Sequence, residues 1–186
     1  LEFIDVFEEK GGFDVVIANP PYIKEDVNKA AFDGLRNSQC YQGKMDIWYL
    51  FGCKSMDIIN SDGVMCFIAT NNWISNDGAS KFRNKVITQG KIIDFIDFGN
   101  YKIFSAGVQT MVFVIQKSFE PPNYTLNYGR LIDENVSNEE LSEFLGAPYN
   151  VSEKKFEKFA VKFSRNSYLN KYITFVPAKI GKILKK

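Results

Sequence analysis

Apolar runs of strand length alternate with amphipathic stretches over the first two thirds of this chain. Phe13-Asp14-Val15-Val16-Ile17-Ala18 is apolar apart from Asp14 and predicts a strand covered on both faces, as in a parallel α/β sheet. Residues 19–44 show weak periodicity and predict a long loop with one short helix around Asp26 to Leu35. Loops of that length in compact domains are usually functional or mobile. Apolar positions at Ile47, Leu50, Phe51, Ile58 and Ile59, interrupted at Lys54, follow a helical period over residues 46–60, and Asn60-Ser61-Asp62-Gly63 should stop that helix. Val64 to Ala69 predicts a second buried strand. A helix from Asn76-Asp77-Gly78 to about Thr88 would turn Phe82, Val86 and Ile87 inward and end at Gly90. Ile92 to Asp97 and Gln109 to Gln116 predict two more strands, and no helix-length segment separates them, so they are expected to pair antiparallel.

The order strand, helix, strand, helix, strand, strand predicts an α/β fold, the C-terminal half of a doubly wound sheet of parallel strands with one antiparallel strand added. The texture changes after Ser118. Pro121-Pro122 breaks the chain, Tyr124 to Ile132 alternates like an exposed strand, and Ser137 with Glu140 has the spacing of a capped helix start. Residues 150–176 read as irregular, basic and aromatic, and Pro177 suits the first turn of a last helix. We therefore divide the chain into residues 1–118 and residues 119–186. Leu1 stands where Met would open a complete protein and Ile180 to Lys186 is helix-like, so both ends read as cut.

Composition narrows the function classes. Hydrophobic residues at 45% and charged residues at 24% are ordinary for a soluble globular protein. The apolar runs are too short to span a membrane, and no secretory signal pattern opens the chain. Cys40, Cys53 and Cys66 are odd in number and lack CxxC spacing. That argues against a disulfide framework or a zinc site and fits a reducing cytoplasm, so no metal is expected. The sequence contains no His, which excludes a Ser-His-Asp triad and His-based proton transfer within this chain. The net charge of +1 conceals an asymmetry: residues 151–186 carry 10 Lys and Arg against 2 Asp and Glu, and residues 1–150 carry 13 against 20. A basic tail beside an acidic body fits an anionic partner near the C-terminal end, or a solvated linker helix.

Candidate chemistry concentrates at Asn19-Pro20-Pro21-Tyr22, directly after the first strand. An aromatic amine such as adenine N6 is a poor nucleophile because its lone pair is delocalised into the ring. A catalyst must localise that pair by accepting hydrogen bonds from both amino hydrogens. The Asn19 side-chain oxygen and the Pro20 carbonyl can do so. Proline lacks an N–H, so Pro20-Pro21 stiffens the turn and leaves its carbonyls free as acceptors. Tyr22 offers a flat ring for a base that has left the duplex stack. Taken alone, the tetrapeptide could be an ordinary turn.

A strand ending in Asn-Pro-Pro-Tyr resembles the catalytic loop of amino-methyltransferases that use S-adenosylmethionine. From about Phe13 to Lys117 the chain resembles N6-adenine DNA methyltransferases of the gamma arrangement, especially the methyltransferase part of Eco57I and TaqI type restriction–modification proteins. Lys44-Met45-Asp46-Ile47-Trp48-Tyr49-Leu50-Phe51 is similar to the family's helix after the catalytic loop, Asp62 to Trp73 to its following strand, and Asp97-Phe98-Gly99 to Thr110 to its last motif. The resemblance implies a Rossmann-like S-adenosylmethionine-dependent sheet and site-specific methylation of adenine N6 in double-stranded DNA. It implies catalytic roles for Asn19, Pro20 and Tyr22, stacking of a flipped adenine by Tyr22 and Phe104, and a cofactor border of Asn19, Pro21 and Phe51. A restriction endonuclease can be fused in such proteins, although no Asp…Glu-x-Lys cleavage cluster stands out here.

The chain also departs from the family pattern. Only 18 residues precede Asn19, the family's glycine-rich cofactor loop is absent, and Gly11-Gly12 precedes a strand and cannot replace it. The implied partners therefore include an N-terminal cofactor-binding half and a C-terminal target-recognition domain, both outside this sequence. Without them the chain is expected to be inactive alone and to leave the edge of the Asn19 strand open. From the residues alone Phe51 and Trp73 suit a core, Phe104 could be an apolar plug, and Asp46 either orients the loop or caps its helix. Two alternatives stand beside the main reading. Protein glutamine N5-methyltransferases also use Asn-Pro-Pro-Tyr-Ile, which Asn19 to Ile23 matches. A non-catalytic DNA-binding or assembly module could retain the same fold.

Overall fold

The computed structural model describes residues 3–105 and 107–175. A short helix, α1 (Ile4–Lys10), precedes the first strand, β1 (Phe13–Ala18). Helix α2 (Trp48–Ile58) leads into β2 (Ile59–Thr70), and α3 (Ser80–Gln89) into β3 (Gly90–Asp97). Then come β4 (Thr110–Lys117), β5 (Asn123–Leu131), α4 (Asn138–Gly146), β6 (Val151–Ser152), β7 (Phe156–Ser164) and α5 (Arg165–Tyr168).

All these strands form one seven-stranded sheet in the order β1-β2-β4-β3-β5-β7-β6. The α2 and α3 connections return the chain in the same direction, so β1, β2 and β3 run alike, as the sequence predicts. The short connection from β3 to β4 reverses it. Strand β4 fills the gap between β2 and β3, antiparallel to both, with Phe67 opposite Phe113 and Phe95 opposite Phe113. Strand β5 resumes the common direction beside β3, and β7 reverses again. The sheet is thus mostly codirectional, with two reversed strands where one was expected.

The two faces carry different cores. On the face covered by α2 and α3, Trp48, Met65, Phe67, Trp73, Phe82, Phe95, Met111 and Phe113 form a dry cluster. Trp73 is fully buried. It lies 5.1 Å from Phe82, 5.3 Å from Phe113 and 5.8 Å from Phe95 between ring centroids, so its role is packing, as expected. Beneath α4 on the other face, Phe98, Leu131, Phe144 and Phe156 make a smaller cluster against Ile68, Ile96 and Val112. Helix α4 begins with the anticipated capping box: the Glu140 N–H donates to Ser137 Oγ and the Ser137 N–H to the Glu140 carboxylate.

Several expectations are corrected. Strand β1 is bare on one face: Val16 and Ala18 pack on the core, while Val15 and Ile17 are 56% and 76% exposed. The helix expected around Asp26 to Leu35 shrinks to a 3₁₀ turn at Ala30–Phe32, anchored by the buried Phe32. Asn60 to Gly63 belong to β2, because Ile59 already pairs with Phe13. Strand β5 is interior rather than exposed: Tyr124, Leu126 and Leu131 are buried. Residues 151–164, read as irregular, supply β6 and β7. Cys40 and Cys53, expected to be free thiols, form a disulfide because the loop after β1 folds back onto α2 and brings their Cα atoms to 6.4 Å. The helix placed at Pro177 lies outside the described residues.

Part of the basic tail serves the fold. Lys155 pairs with Glu140, buried Lys158 donates to the Leu145 and Ala147 carbonyls, and buried Arg165 donates to the Ile87, Ser118 and Pro121 carbonyls. The described chain contains no helix long and apolar enough to cross a membrane.

Candidate active site

The parallel strands deliver their C-terminal ends to one rim of the sheet, where open α/β sheets bind ligands. Strand β1 stops at Ala18 because Pro20 has no N–H to continue a ladder. Asn19 and Pro21 are exposed there, and Pro20 is buried. Tyr22 turns back into the sheet. Its hydroxyl lies 2.9 Å from Asn19 Oδ1 and 2.9 Å from the Ile68 carbonyl of β2. Burial, and then the nearby Asp46 charge, push the Tyr22 hydroxyl up to about 12, so it keeps its proton at neutral pH.

Phe104, from the loop between β3 and β4, faces Tyr22. The ring centroids are 6.3 Å apart and the planes tilted by 54°. A flat base between two rings needs roughly 7 Å, twice the 3.5 Å contact distance of carbon atoms. The pair is therefore near sandwich spacing, and its planes must turn through the 54° between them to become parallel. The same loop is pinned at its root. The Asp97 carboxylate accepts from the Gly99 N–H and from the Asn71 side-chain amide, tying the end of β3 to the end of β2.

The long loop after Tyr22 is closed at its neck rather than loose. The Glu25 N–H donates to the Met45 carbonyl, and the Ile47 N–H donates to the Ile23 carbonyl. The Glu25 carboxylate collects the Tyr41 hydroxyl and the Lys44 N–H. Asp46 sits at this neck, 4% exposed, and one of its carboxylate oxygens has no hydrogen-bond partner among the described residues. Burial pushes its carboxyl up to about 6, against the pull of the Trp48 N–H and the Lys24 charge. Helix α2 is locked to the end of β2 by polar contacts: Trp48 Nε1 donates to Thr70 Oγ1, and the Tyr49 hydroxyl to Asn72 Oδ1.

The structure thus gathers Asn19, Pro20, Pro21, Tyr22 and Phe104 at one rim. Phe51 comes from helix α2. It is 46% exposed on a helix whose Trp48, Tyr49, Leu50 and Met56 are buried, so the core reading of Phe51 does not hold. The expected glycine pair has a structural duty. Gly11 ends α1 at a positive φ of 70°, and a Cβ on Gly12 would sit 2.5 Å from the Ile58 carbonyl oxygen. Sequence reasoning missed the Ile68 carbonyl as a partner of Tyr22, since backbone acceptors leave no mark on residue type. It also missed the Asp97–Asn71 tie, for which acidic and amide residues after two strand ends were the available signal.

The model of the Eco57I restriction-modification methylase family matches residues 1–104, more than half of the chain. The chain belongs to the Eco57I restriction-modification methylase family. The type II methyltransferase M.BanIII of Aneurinibacillus aneurinilyticus is 27% identical over 101 residues, which are 54% of this chain and 17% of that protein. A release factor glutamine methyltransferase of Clostridium botulinum is 29% identical over 69 residues, 34% of this chain and 24% of that protein. Among solved structures, the methyltransferase subunit of a type I restriction-modification system from Streptococcus thermophilus matches 89% of this chain and 39% of its own at a TM-score of 0.55 and 15% identity, a likeness of fold. The chain spans less than a quarter of the length of either curated relative.

Proposed function

We propose that this chain carries the target-base pocket of an enzyme that transfers a methyl group from S-adenosylmethionine to adenine N6 in double-stranded DNA, within a restriction–modification system of the cytoplasm. The observation that carries the reading is the Asn19 amide beside the Tyr22–Phe104 pair, at the ligand-binding rim of the sheet. Residues 1–118 supply catalysis and residues 119–186 lead toward target recognition. The rest of the cofactor site and the sequence reader come from segments outside this sequence, with or without a fused endonuclease.

The residues present fit one wall of a cofactor site. Asn19 and Pro21 are exposed at the end of an edge strand, and Phe51 offers an uncommitted exposed ring. When bound, S-adenosylmethionine supplies a methyl group already activated on a sulfonium, so positioning accounts for most of the acceleration. A flipped adenine enters between Tyr22 and Phe104, each stacked ring contributing roughly 1–3 kcal/mol. Asn19 Oδ1 and the Pro20 carbonyl accept hydrogen bonds from the two N6 hydrogens, which draws the lone pair out of conjugation with the ring and localises it on N6. With the donor bound, its methyl group would pass to N6 as the bond to sulfur broke, and the extra N6 proton would leave to solvent. No strong base is needed, in keeping with a chain that has no His.

A side-chain amide is also planar and weakly nucleophilic, so glutamine methylation is the second reading, which the restriction-modification family match does not favour. Phe104 argues for a base: a sandwich of two rings suits a flat aromatic substrate better than a glutaminyl amide. The deciding experiment is methyl transfer by the full-length protein from labelled S-adenosylmethionine to duplex DNA, with nucleoside analysis, beside its Asn19→Ala variant. N6-methyladenine made by the unmutated enzyme alone establishes the reading. Labelled glutamine in a protein substrate, with none in DNA, overturns it.

A further inference from the structure

Tyr22 has one hydroxyl proton and two oxygen neighbours. Ile68 O and Asn19 Oδ1 both lie at 2.9 Å. The Ile68 carbonyl can only accept and is fixed in the sheet, whereas the Asn19 amide can turn over, so the proton is assigned to the Tyr22–Ile68 bond. That would leave the Tyr22 oxygen facing the Asn19 oxygen with no proton between them, a repulsive contact. The two ends of a side-chain amide are nearly isosteric, and the surrounding hydrogen bonds decide which end faces where. Turning the Asn19 amide over removes the conflict. Its NH₂ then donates to the Tyr22 oxygen, and Tyr22 donates to Ile68.

We infer that the Tyr22 hydroxyl is a positioning group that holds the Asn19 amide with its NH₂ inward and its oxygen outward, toward the incoming amine. The inference rests on the methyl-transfer reading above and adds to it a second duty for Tyr22 besides stacking. In this relay Asn19 donates to Tyr22 and Tyr22 donates to a carbonyl fixed in β2 by its pairing with β4. Hydrogen bonds in such a chain polarise one another, which makes the Asn19 oxygen a better acceptor as positive charge develops on the amine. The raised Tyr22 ionisation keeps the relay protonated over the working pH range. Without the hydroxyl the exposed Asn19 amide is free to present either end, and the NH₂ end repels an amine that must donate.

The test separates ring from hydroxyl in the full-length protein. Tyr22→Phe keeps the stacking surface. It should lower kcat about 10- to 100-fold, the range set by one lost hydrogen bond of this kind. KM for DNA and the fluorescence of a 2-aminopurine at the target position should change less than about threefold, because stacking persists. In an Asn19→Asp background both side-chain ends are oxygens, so orientation no longer matters and the same Tyr22→Phe change should cost less than about threefold in kcat. Equal losses in the two backgrounds, or an unimpaired Tyr22→Phe single variant, would overturn the inference while leaving the methyl-transfer reading intact. An unmutated protein that does not methylate DNA would sink that reading instead. The relay is then judged by the ¹⁵N-labelled Asn19 side-chain amide: a hydrogen-bonded proton that moves upfield in Tyr22→Phe supports it, and an unchanged amide spectrum overturns it.

Discussion

Trp73, in the turn just after β2, and Ile17, on β1, stand in opposite conditions. Trp73 touches Phe82, Phe95 and Phe113 and is sealed from water, whereas Ile17 is 76% exposed on the outermost strand. The interior of the sheet is finished by this chain, whereas the β1 edge is open among the described residues. The candidate chemistry sits on the boundary between the two. Tyr22 and Phe104 reach back to the finished part, through Ile68 and through the Asp97 tie, while Asn19, Pro21 and Phe51 face outward. In the proposed mechanism the base wall and the cofactor wall therefore meet at one residue, Asn19.

The strongest way to break that contrast is to empty the interior. Trp73→Ala removes the ring on which three others pack and should cost about 3–5 kcal/mol of stability. Chemical denaturation of the full-length protein would show this as a lower midpoint at unchanged slope. Loss below 1 kcal/mol would mean that the cluster around Trp73 is not the part that holds the sheet together.

A comparable effect on rate, with none on folding, is expected at the boundary. Asn19→Ala deletes an acceptor that works in the transition state and should lower kcat at least about 100- to 1,000-fold, the range for removing one such polar contact. The melting temperature should stay within 1–2 °C, since an exposed site away from packing changes stability by less than about 0.5 kcal/mol. Unchanged methyl transfer would remove Asn19 from the chemistry.

What could be read from the sequence follows the same division. Periodicity located β1, β2, β3, β4, α2 and α3, because each buries one stripe or face against another part of this chain. It missed β7, whose alternation is disguised: Phe156 faces the α4 cluster and Val161 the larger core, and Lys158, beside Phe156, carries its ammonium to the carbonyls at the end of α4. It missed the Cys40–Cys53 pair because sequence spacing says nothing about where the loop between β1 and α2, longer than the roughly 12–15 residues usual in compact domains, folds back. It misjudged β1 for a different reason. An unbroken apolar run reads the same whether its cover lies in this chain or elsewhere, so Val15 and Ile17 looked buried. The motif gave the right neighbourhood for Asn19, Tyr22 and Phe104 but not the Ile68 carbonyl that joins them.

Asp46 sharpens the comparison through pH. Its carboxyl, buried at the neck of the loop, is raised to about 6 in the folded state from the ordinary 3.8. The folded state therefore binds this proton more tightly than the unfolded state does. Stability supplied by that proton is present below about pH 4 and is lost as pH rises through 6. Asp46→Asn should flatten this loss, so the melting temperature of the variant, relative to the unmutated protein, should rise between pH 4 and 7. A difference that stays constant with pH would show that Asp46 ionises like a solvent-exposed carboxylate and that the neck is wet.

The smallest expected effect probes the open edge itself. Ile17 points away from the core beside Cys66 of β2, so Ile17→Ser should change the stability of this chain by less than about 0.5 kcal/mol. A buried isoleucine cut back to a small side chain would instead cost about 2–5 kcal/mol. Measured in the isolated chain and again in the full-length protein, the same substitution therefore reports whether the bare face is covered. A loss confined to the full-length protein means that a further segment packs on Ile17 and completes the wall beside Asn19. Near-zero loss in both means that the edge stays in water, and the cofactor wall must then be built without covering β1.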